Sequence, residues 1–144
     1  MRASLLFVSL LFCLVICIPC KAQTQEYQLL MKTRGHELTA LCMMESSADG
    51  RVAGTIVNEF GVKAFDFTYD KGKAKVLNVM GPLDKWYIRR VLRHDFAFLL
   101  THLPDRKTAI KGKRKLTFED NDTIHLVSGR YKIDYTFIPL SQEP

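Results

Sequence analysis

Short apolar runs that alternate in character and are joined by tight turns constrain this chain more than any other feature. In residues 62–69, Phe65, Phe67 and Tyr69 alternate with smaller or polar neighbours, and a turn around Gly72 separates this run from the next. A period of two predicts strands whose two faces meet different surroundings. Tight turns join antiparallel strands, because a parallel pair needs a crossover of a dozen or more residues. The first half of the chain is therefore predicted to form an antiparallel sheet.

About eight strands are predicted, five before a helical segment and three after it. Their predicted bounds are residues 27–33, 36–45, 51–60, 62–69, 74–79, 115–118, 123–128 and 131–139. The intervening residues from 84 to about 93 have a helical period that places Tyr87, Val91 and Leu92 on one side. A helix continuing to Leu100 would bury Asp95, and a buried carboxylate needs a partner. We therefore expect Asp95 to cap a second helix over residues 96–102.

This element order predicts an α+β fold. A flat sheet of this size would expose one apolar face, whereas a curved sheet covers that face with a helix. We expect a strongly curved antiparallel sheet, an incomplete β-barrel of about eight strands. One or two helices between the fifth and sixth strands would cover its concave face.

Residues 1–22 have the pattern of a secretory signal peptide. Arg2 precedes an uncharged, almost wholly apolar run, and small residues precede Gln23. That run, of about 14 residues, is shorter than the ~20 of a membrane-spanning helix, so a retained anchor is the weaker interpretation. Cleavage after Ala22 and acylation of Cys20 both remain open. The sequence predicts an exported protein, with residues 23–144 as a single domain.

Charge and cysteine content restrict the classes of function. The chain has 21 Lys and Arg against 15 Asp and Glu; Arg2 and Lys21 precede Gln23, so the remainder has a net charge of +4. This mild excess does not favour DNA binding, and we expect no nucleic-acid partner. Cys42 is the one cysteine after residue 22, so that part of the chain has no internal disulfide, and its apolar neighbours predict a buried thiol.

No motif of catalysis is found. The four histidines, His36, His94, His102 and His125, lack the spacing of a metal site, and no Gly-x-Ser-x-Gly or phosphate-binding loop occurs. We therefore predict no catalytic residue, no metal and no cofactor, and a protein that is not an enzyme.

Two sets of residues are candidates for binding. The first consists of large side chains that would line an apolar cavity if sheet and helix do not close completely: Phe65, Phe67, Tyr69, Tyr87, Val91, Phe98, Tyr135 and Phe137. The second is a basic segment that would contact an anionic surface: Lys111, Lys113, Arg114 and Lys115. If instead the aromatic residues fill the core, the chain is a structural or protein-interaction domain of the cell envelope that uses this basic loop as its interface.

Two stretches within this element order carry a resemblance to a known family. They are GTIVNEFGVKAFDFTYDKG at residues 54–72 and VLRHDFAFLL at residues 91–100. With the leader and the β-rich end, they resemble the LolA/LolB-like superfamily of periplasmic lipoprotein carriers and outer-membrane receptors, in particular its small bacterial lipoproteins. The resemblance implies an incomplete barrel with a helical lid over an apolar cavity, and a location in the periplasm or at the outer membrane, with a lipid anchor if Cys20 is acylated. It also implies that the protein binds a lipid or acylated, lipoprotein-like ligand in lipoprotein or lipid trafficking, with a membrane surface or another envelope protein as further partner.

Overall fold

The computed structural model describes residues 23–140, which form nine strands and one α-helix. The strands are β1 (Gln23–Thr33), β2 (His36–Ser46), β3 (Val52–Asn58), β4 (Lys63–Asp70), β5 (Lys73–Leu77), β6 (Ala109–Lys111), β7 (Arg114–Phe118), β8 (Ile124–Ser128) and β9 (Ile133–Pro139). The helix α1 (Trp86–His102) lies between β5 and β6, with a 3-10 turn on each side, at Gly81–Leu83 and Leu103–Asp105. The predicted α+β class is thus confirmed.

All nine strands belong to one antiparallel sheet in the order β5-β4-β3-β2-β1-β9-β8-β7-β6. The two long strands β1 and β2 pair over their full length, and β1 also pairs with β9, so the first strand lies at the centre of the sheet. The edge strands β5 and β6 each have a single strand neighbour within residues 23–140, which means that the sheet is not closed.

The sheet has nine strands where about eight were predicted, and the additional strand is β6. The sequence places Ala109–Lys111 in a basic stretch that was interpreted as a loop. In the structure this stretch forms a hairpin with β7, and Gly112 at the turn has a φ of 60°, a conformation that glycine adopts readily. Lysines are common on edge strands because their charge prevents pairing with another chain. The charge that suggested a loop is therefore compatible with a short edge strand.

The prediction that Asp95 caps a second helix is wrong, because α1 continues without a break to His102. Asp95 lies on the inward face of this helix and is fully buried. Its carboxylate accepts hydrogen bonds from Arg114 Nε at 2.8 Å, Ser128 Oγ at 2.9 Å and Tyr135 OH at 2.7 Å. We call these four residues the Asp95 cluster. The cluster supplies the partners that a buried carboxylate requires, so the helix has no reason to end there.

Contacts of one helical ring show that the sheet curves around α1. Phe96 lies with its ring centroid 4.7 Å from that of Phe67 on β4 and 6.4 Å from that of Phe137 on β9. These two strands are four strand spacings apart, which is about 19 Å in a flat sheet. The sheet must therefore bend until β4 and β9 reach the same residue. The helix lies on the concave side and carries the chain from one edge strand to the other.

Candidate functional site: an apolar cavity at one end of the sheet

A cavity of about 550 Å³ lies between the first half of α1 and the sheet. It is bordered by the β1–β2 end, the β3–β4 turn, the segment leading into the helix and the β8–β9 turn. All four connections are at the same end of the sheet. The volume falls within the range of ~300–1,000 Å³ that is usual for small-molecule sites.

The walls of the cavity are mostly apolar. The helix contributes Tyr87, Ile88, Val91 and Leu92, and the 3-10 turn before it adds Pro82 and Leu83. The sheet contributes Met31, Leu38, Ala40, Ile56, Ala64, Phe65 and Ile133. Most of these strand residues alternate with outward-facing neighbours, so the pleat of the sheet directs them to the concave side. Ala64 and Phe65 are consecutive and both buried, at the point where a bulge shifts the β3–β4 register. A site with such walls suits a hydrocarbon ligand.

The β3–β4 turn holds an aromatic side chain at the mouth of the cavity. Phe60 lines the cavity and is nevertheless 82% exposed. The Asn58 side chain fixes this turn, because its Oδ1 accepts the backbone N–H groups of Phe60 at 3.0 Å and Val62 at 2.9 Å. Gly61 has a φ of 79°, which the turn needs. An ordered turn thus presents Phe60 to solvent.

The start of α1 exposes two more aromatic rings: Tyr87 lines the cavity, and Trp86 packs against Tyr87. Trp86 is 74% exposed and Tyr87 is 50% exposed, and their rings meet edge to face at 6.0 Å. Leu38 on β2 is also exposed. Large apolar side chains exposed together around an opening mark an interaction surface more often than isolated ones do. We call the exposed set Leu38, Phe60, Trp86 and Tyr87 the apolar rim.

Phe65 forms the inner limit of the cavity. Its ring packs edge to face against Phe96 at 5.6 Å, and beyond Phe96 the core is filled. On the far side of Phe96 lies the Asp95 cluster. Burial and the neighbouring Asp95 carboxylate raise the pKa of Tyr135 well above its ordinary value, so its hydroxyl stays protonated and donates to that carboxylate. The concave side is therefore open in one half and densely packed in the other.

The structure divides the eight residues predicted to line a cavity into two groups. Phe65, Tyr87 and Val91 line it. The other five lie elsewhere: Phe67, Phe98, Tyr135 and Phe137 are buried in the filled half of the core, and Tyr69 lies at the opposite end of the sheet, where its hydroxyl is 2.9 Å from Thr101 Oγ1. Sequence reasoning missed Leu38, Phe60 and Leu83. For Phe60 the signal was the pattern Asn58-x-x-Gly61, which is typical of a turn rather than of a strand end.

The predicted basic segment lies at the same end of the sheet as the cavity. Lys111, Lys113 and Lys115 are exposed on the β6–β7 hairpin. Arg114 instead points inward, with a quarter of its side chain exposed, and belongs to the Asp95 cluster. The backbone N–H of Gly129 donates to the carbonyl of Lys113 at 2.9 Å, which holds the hairpin next to the β8–β9 turn.

The connections at the two ends of the sheet differ in charge. At the cavity end, residues 34–35, 59–62, 78–85, 112–113 and 129–132 contain five Lys and Arg against two acids. At the opposite end, residues 47–51, 71–72, 103–108 and 119–123 contain four Lys and Arg against five acids. The apolar rim is consequently surrounded by the more positive end of the domain.

A second depression, of about 620 Å³, lies at the opposite end. Its lining mixes apolar residues with charged ones, among them Asp49, Asp70, Lys71 and Arg106. Volume alone therefore does not identify the better site for an apolar ligand. The composition of the walls favours the cavity beneath α1.

Three further features concern sites of other kinds. Among residues 23–140 there is no cluster of three side chains that could hold a metal ion, and none of the helices described is long and apolar enough to cross a bilayer. Cys42 is buried, and its burial raises the pKa of the thiol, which keeps it protonated and unreactive. The predicted signal peptide and the acylation candidate Cys20 lie outside the described residues.

No family model matches the chain, and no curated protein matches it significantly.

Proposed function

We propose that the protein binds a lipid or an acyl chain in the cavity beneath α1, as a carrier rather than an enzyme. The observation that carries this proposal is an apolar space of about 550 Å³ that opens to solvent at the apolar rim. A structural domain with a filled core would have no use for such a space. An incomplete barrel with a helical lid, a LolA/LolB-like relationship and a role in lipid or lipoprotein trafficking of the cell envelope all belong to this proposal.

The affinity that burial provides is sufficient for such a carrier. Each buried methylene contributes about 0.8 kcal/mol, so ten of them contribute about 8 kcal/mol before the entropy lost on binding is subtracted. The net value then corresponds to a dissociation constant in the micromolar range or weaker. Binding of this strength is reversible, as a carrier requires.

The apolar rim is suited to contact with a membrane surface during loading and release. Phe60 and Trp86 are exposed on two different elements at the mouth, and the surrounding connections are basic. Aromatic side chains favour the interface between lipid and water, and basic residues are attracted to anionic headgroups. A molecule that docks in this way turns the cavity towards the lipid from which it takes its ligand.

Filling the cavity from within tests the proposal. Ala40 lies on the concave face of β2 and lines the cavity, so Ala40→Phe places a ring in the space that the ligand would use. Ala53→Phe makes the same change at an exposed position of β3 and serves as the control. We expect wild-type protein and Ala53→Phe to bind cis-parinaric acid, with native mass spectra that show bound lipid. Ala40→Phe should keep its fold by circular dichroism and lose at least about tenfold in affinity.

Equal binding by Ala40→Phe and Ala53→Phe would place the ligand elsewhere. Absence of probe uptake and of bound lipid in the wild-type protein would contradict the proposal altogether. That result would favour the alternative function, a protein-interaction domain that uses the basic hairpin with Lys111, Lys113 and Lys115.

A further inference from the structure

The β8–β9 turn places an exposed guanidinium group, that of Arg130, next to Tyr131, a residue of the cavity wall. Tyr131 lines the cavity, and Arg130 Cζ lies 5.8 Å from the centroid of its ring. The turn is tied at both ends: Tyr131 N–H donates to the Ser128 carbonyl at 3.2 Å, and Gly129 N–H donates to the Lys113 carbonyl at 2.9 Å. The cation–π contact and the fixed turn together keep the Arg130 guanidinium close to Tyr131, within reach of a group that emerges from the cavity on that side.

The cations at this opening are not neutralised within the described part of the chain. Arg34, Lys85, Arg130 and Lys132 lie on the connections that border the cavity, and none of them forms an ion pair with a residue of the range 23–140. At the same end of the molecule, Lys63 and Arg89 are paired with Asp66 and Asp84. The unpaired cations are thus available to a ligand.

The one carboxylate among the described residues that line the cavity, Glu59, opposes the attraction of these cations for an anionic ligand. Glu59 lies next to Phe60 in the β3–β4 turn and is exposed. It would repel a negatively charged group, whereas Arg130 on the β8–β9 turn would attract one. Charges of opposite sign on two different turns make the side of the opening near Tyr131 the favourable position for an anion.

We propose that the ligand is an anionic amphiphile, whose chain occupies the cavity and whose carboxylate or phosphate is bound by Arg130 at the Tyr131 side of the mouth. This inference rests on the proposed function and specifies the class of its ligand. A guanidinium group donates two parallel hydrogen bonds to either oxyanion, and the planar fork suits both. A neutral amphiphile of the same chain length gains only the burial of its chain.

The experiment compares three ligands that share a twelve-carbon chain: laurate, dodecyl phosphate and dodecanol. Wild-type protein loaded with cis-parinaric acid is titrated with each ligand, laurate and dodecyl phosphate below their micellar concentrations and dodecanol below its solubility limit. We expect the affinity of at least one anion, measured by displacement of the probe, to exceed that of dodecanol by a factor of about three or more. One partly exposed ion pair is sufficient for a difference of this size. Whichever of laurate and dodecyl phosphate binds more tightly identifies the oxyanion.

Three substitutions give the sign of the effect. Arg130→Gln should lower the affinity for the two anions to that for dodecanol. Glu59→Gln should raise the affinity for the anions and leave the affinity for dodecanol unchanged. Lys107→Gln removes an exposed positive charge at the opposite end of the sheet and should change none of the three affinities. Equal affinities for all three ligands in the wild type, or an Arg130→Gln protein with unchanged preference, would overturn this inference while the proposed function stands. If none of the ligands binds, the proposed function itself fails.

Discussion

At the level of single residues, Gly54 leaves the space that the ring of Phe67 occupies. The two residues are direct partners across β3 and β4. A Cβ atom on Gly54 would collide with the ring of Phe67 and lie 2.8 Å from the carbonyl oxygen of Met43. Glycine at this position lets the Phe67 ring lie flat over the strand and reach Phe96. One missing side chain therefore shapes the filled half of the core.

Gly54→Ala should destabilise the fold by about 1–3 kcal/mol, because the Phe67 ring is fully buried and has no free space to move into. The measurement is the urea midpoint of unfolding. Gly81→Ala is the matched control, since nothing lies within 4 Å of its added Cβ. Equal midpoints for the two variants would show that the core around Phe67 is more adaptable than this packing implies.

Asp66 gives the stability of the protein a dependence on acid. The amide of Asn78, which donates at 2.7 Å, together with Thr55 Oγ1 and Lys63, holds the pKa of Asp66 below its ordinary value. Since that pKa is lower in the folded than in the unfolded chain, the stabilisation is complete above the ordinary value of about 3.9. It is lost as the pH falls through the folded-state pKa.

Asp66→Asn should therefore lower the free energy of unfolding by about 1 kcal/mol at neutral pH and by clearly less at about pH 2. Urea unfolding at both pH values measures the difference. Asp105→Asn changes an exposed carboxylate without an ion pair in the described residues and should not alter the pH dependence. A deficit of Asp66→Asn that persists unchanged in acid would argue against a role for its charge.

The sequence predicted which residues of a strand face inward better than it predicted which of them lie at the cavity and which in the filled core. Alternation places Phe65 and Phe67 on the same face, and both are buried there. Only Phe65 reaches the cavity, because Phe67 is two residues further from the mouth and meets Phe96. The depth of a residue along a strand depends on where the helix crosses the sheet, and that crossing is not encoded in a local period.

At the level of elements, α1 consists of two halves with different surroundings. The first half, with Tyr87, Ile88 and Val91, lies over the cavity. The second half is fixed by the Asp95 cluster and by Phe96 and the buried leucines that follow it. The helix is therefore anchored at its C-terminal half, and its N-terminal half is the part that can open.

Removing the anchor should cost much stability. Asp95→Ala leaves the Arg114 charge and two buried hydroxyls without their acceptor, and we expect a loss of about 3–5 kcal/mol. Asp84→Ala breaks an exposed Arg–Asp pair, Arg89 Nε to Asp84 Oδ1 at 2.6 Å, and should cost less than about 1 kcal/mol. Urea unfolding measures both. A loss below about 1 kcal/mol in Asp95→Ala would contradict an anchoring role.

The start of the helix is weakly capped, which affects how readily it opens. Lys85 is the N-cap, its side chain makes no capping hydrogen bond, and the first turn has no acidic residue. Lys85→Ser supplies a capping hydroxyl worth about 1 kcal/mol, while Lys85→Ala removes the same charge without a cap. If the first half of α1 opens to release the ligand, cis-parinaric acid should leave Lys85→Ser about fivefold more slowly than Lys85→Ala in stopped-flow fluorescence. Equal rates would exclude this route.

The continuity of α1 could not be read from the sequence, although the conflict at Asp95 was visible. Its partners Arg114, Ser128 and Tyr135 are 19, 33 and 40 residues further along the chain. They reach Asp95 only because β7, β8 and β9 lie side by side under the helix. From its neighbours in the sequence, Asp95 was expected to avoid burial by capping a helix. In the fold it is buried, and residues on three strands distant in the sequence supply its hydrogen bonds.

At the level of the whole molecule, ligand and fold stability are linked. A ligand that binds the folded protein alone adds about 2.7 kcal/mol at a concentration one hundred times its dissociation constant. We expect laurate to raise the melting temperature of the wild-type protein and of Ala53→Phe, and to raise that of Ala40→Phe clearly less at the same concentration. Differential scanning fluorimetry checks this. An equal rise in all three would mean that the fatty acid acts outside the cavity.

Since β5 and β6 have no strand neighbour on their outer sides within residues 23–140, the number of strands does not fix the width of the space that the curved sheet encloses. A closed barrel has one circumference, and widening it breaks inter-strand bonds. Here the edge strands β5 and β6 can move apart or together through a change in sheet curvature alone, and all inter-strand hydrogen bonds are kept. If the cavity holds a ligand as proposed, its width can therefore differ between ligands without loss of inter-strand hydrogen bonds, within the limit set by Phe96, which packs against both β4 and β9.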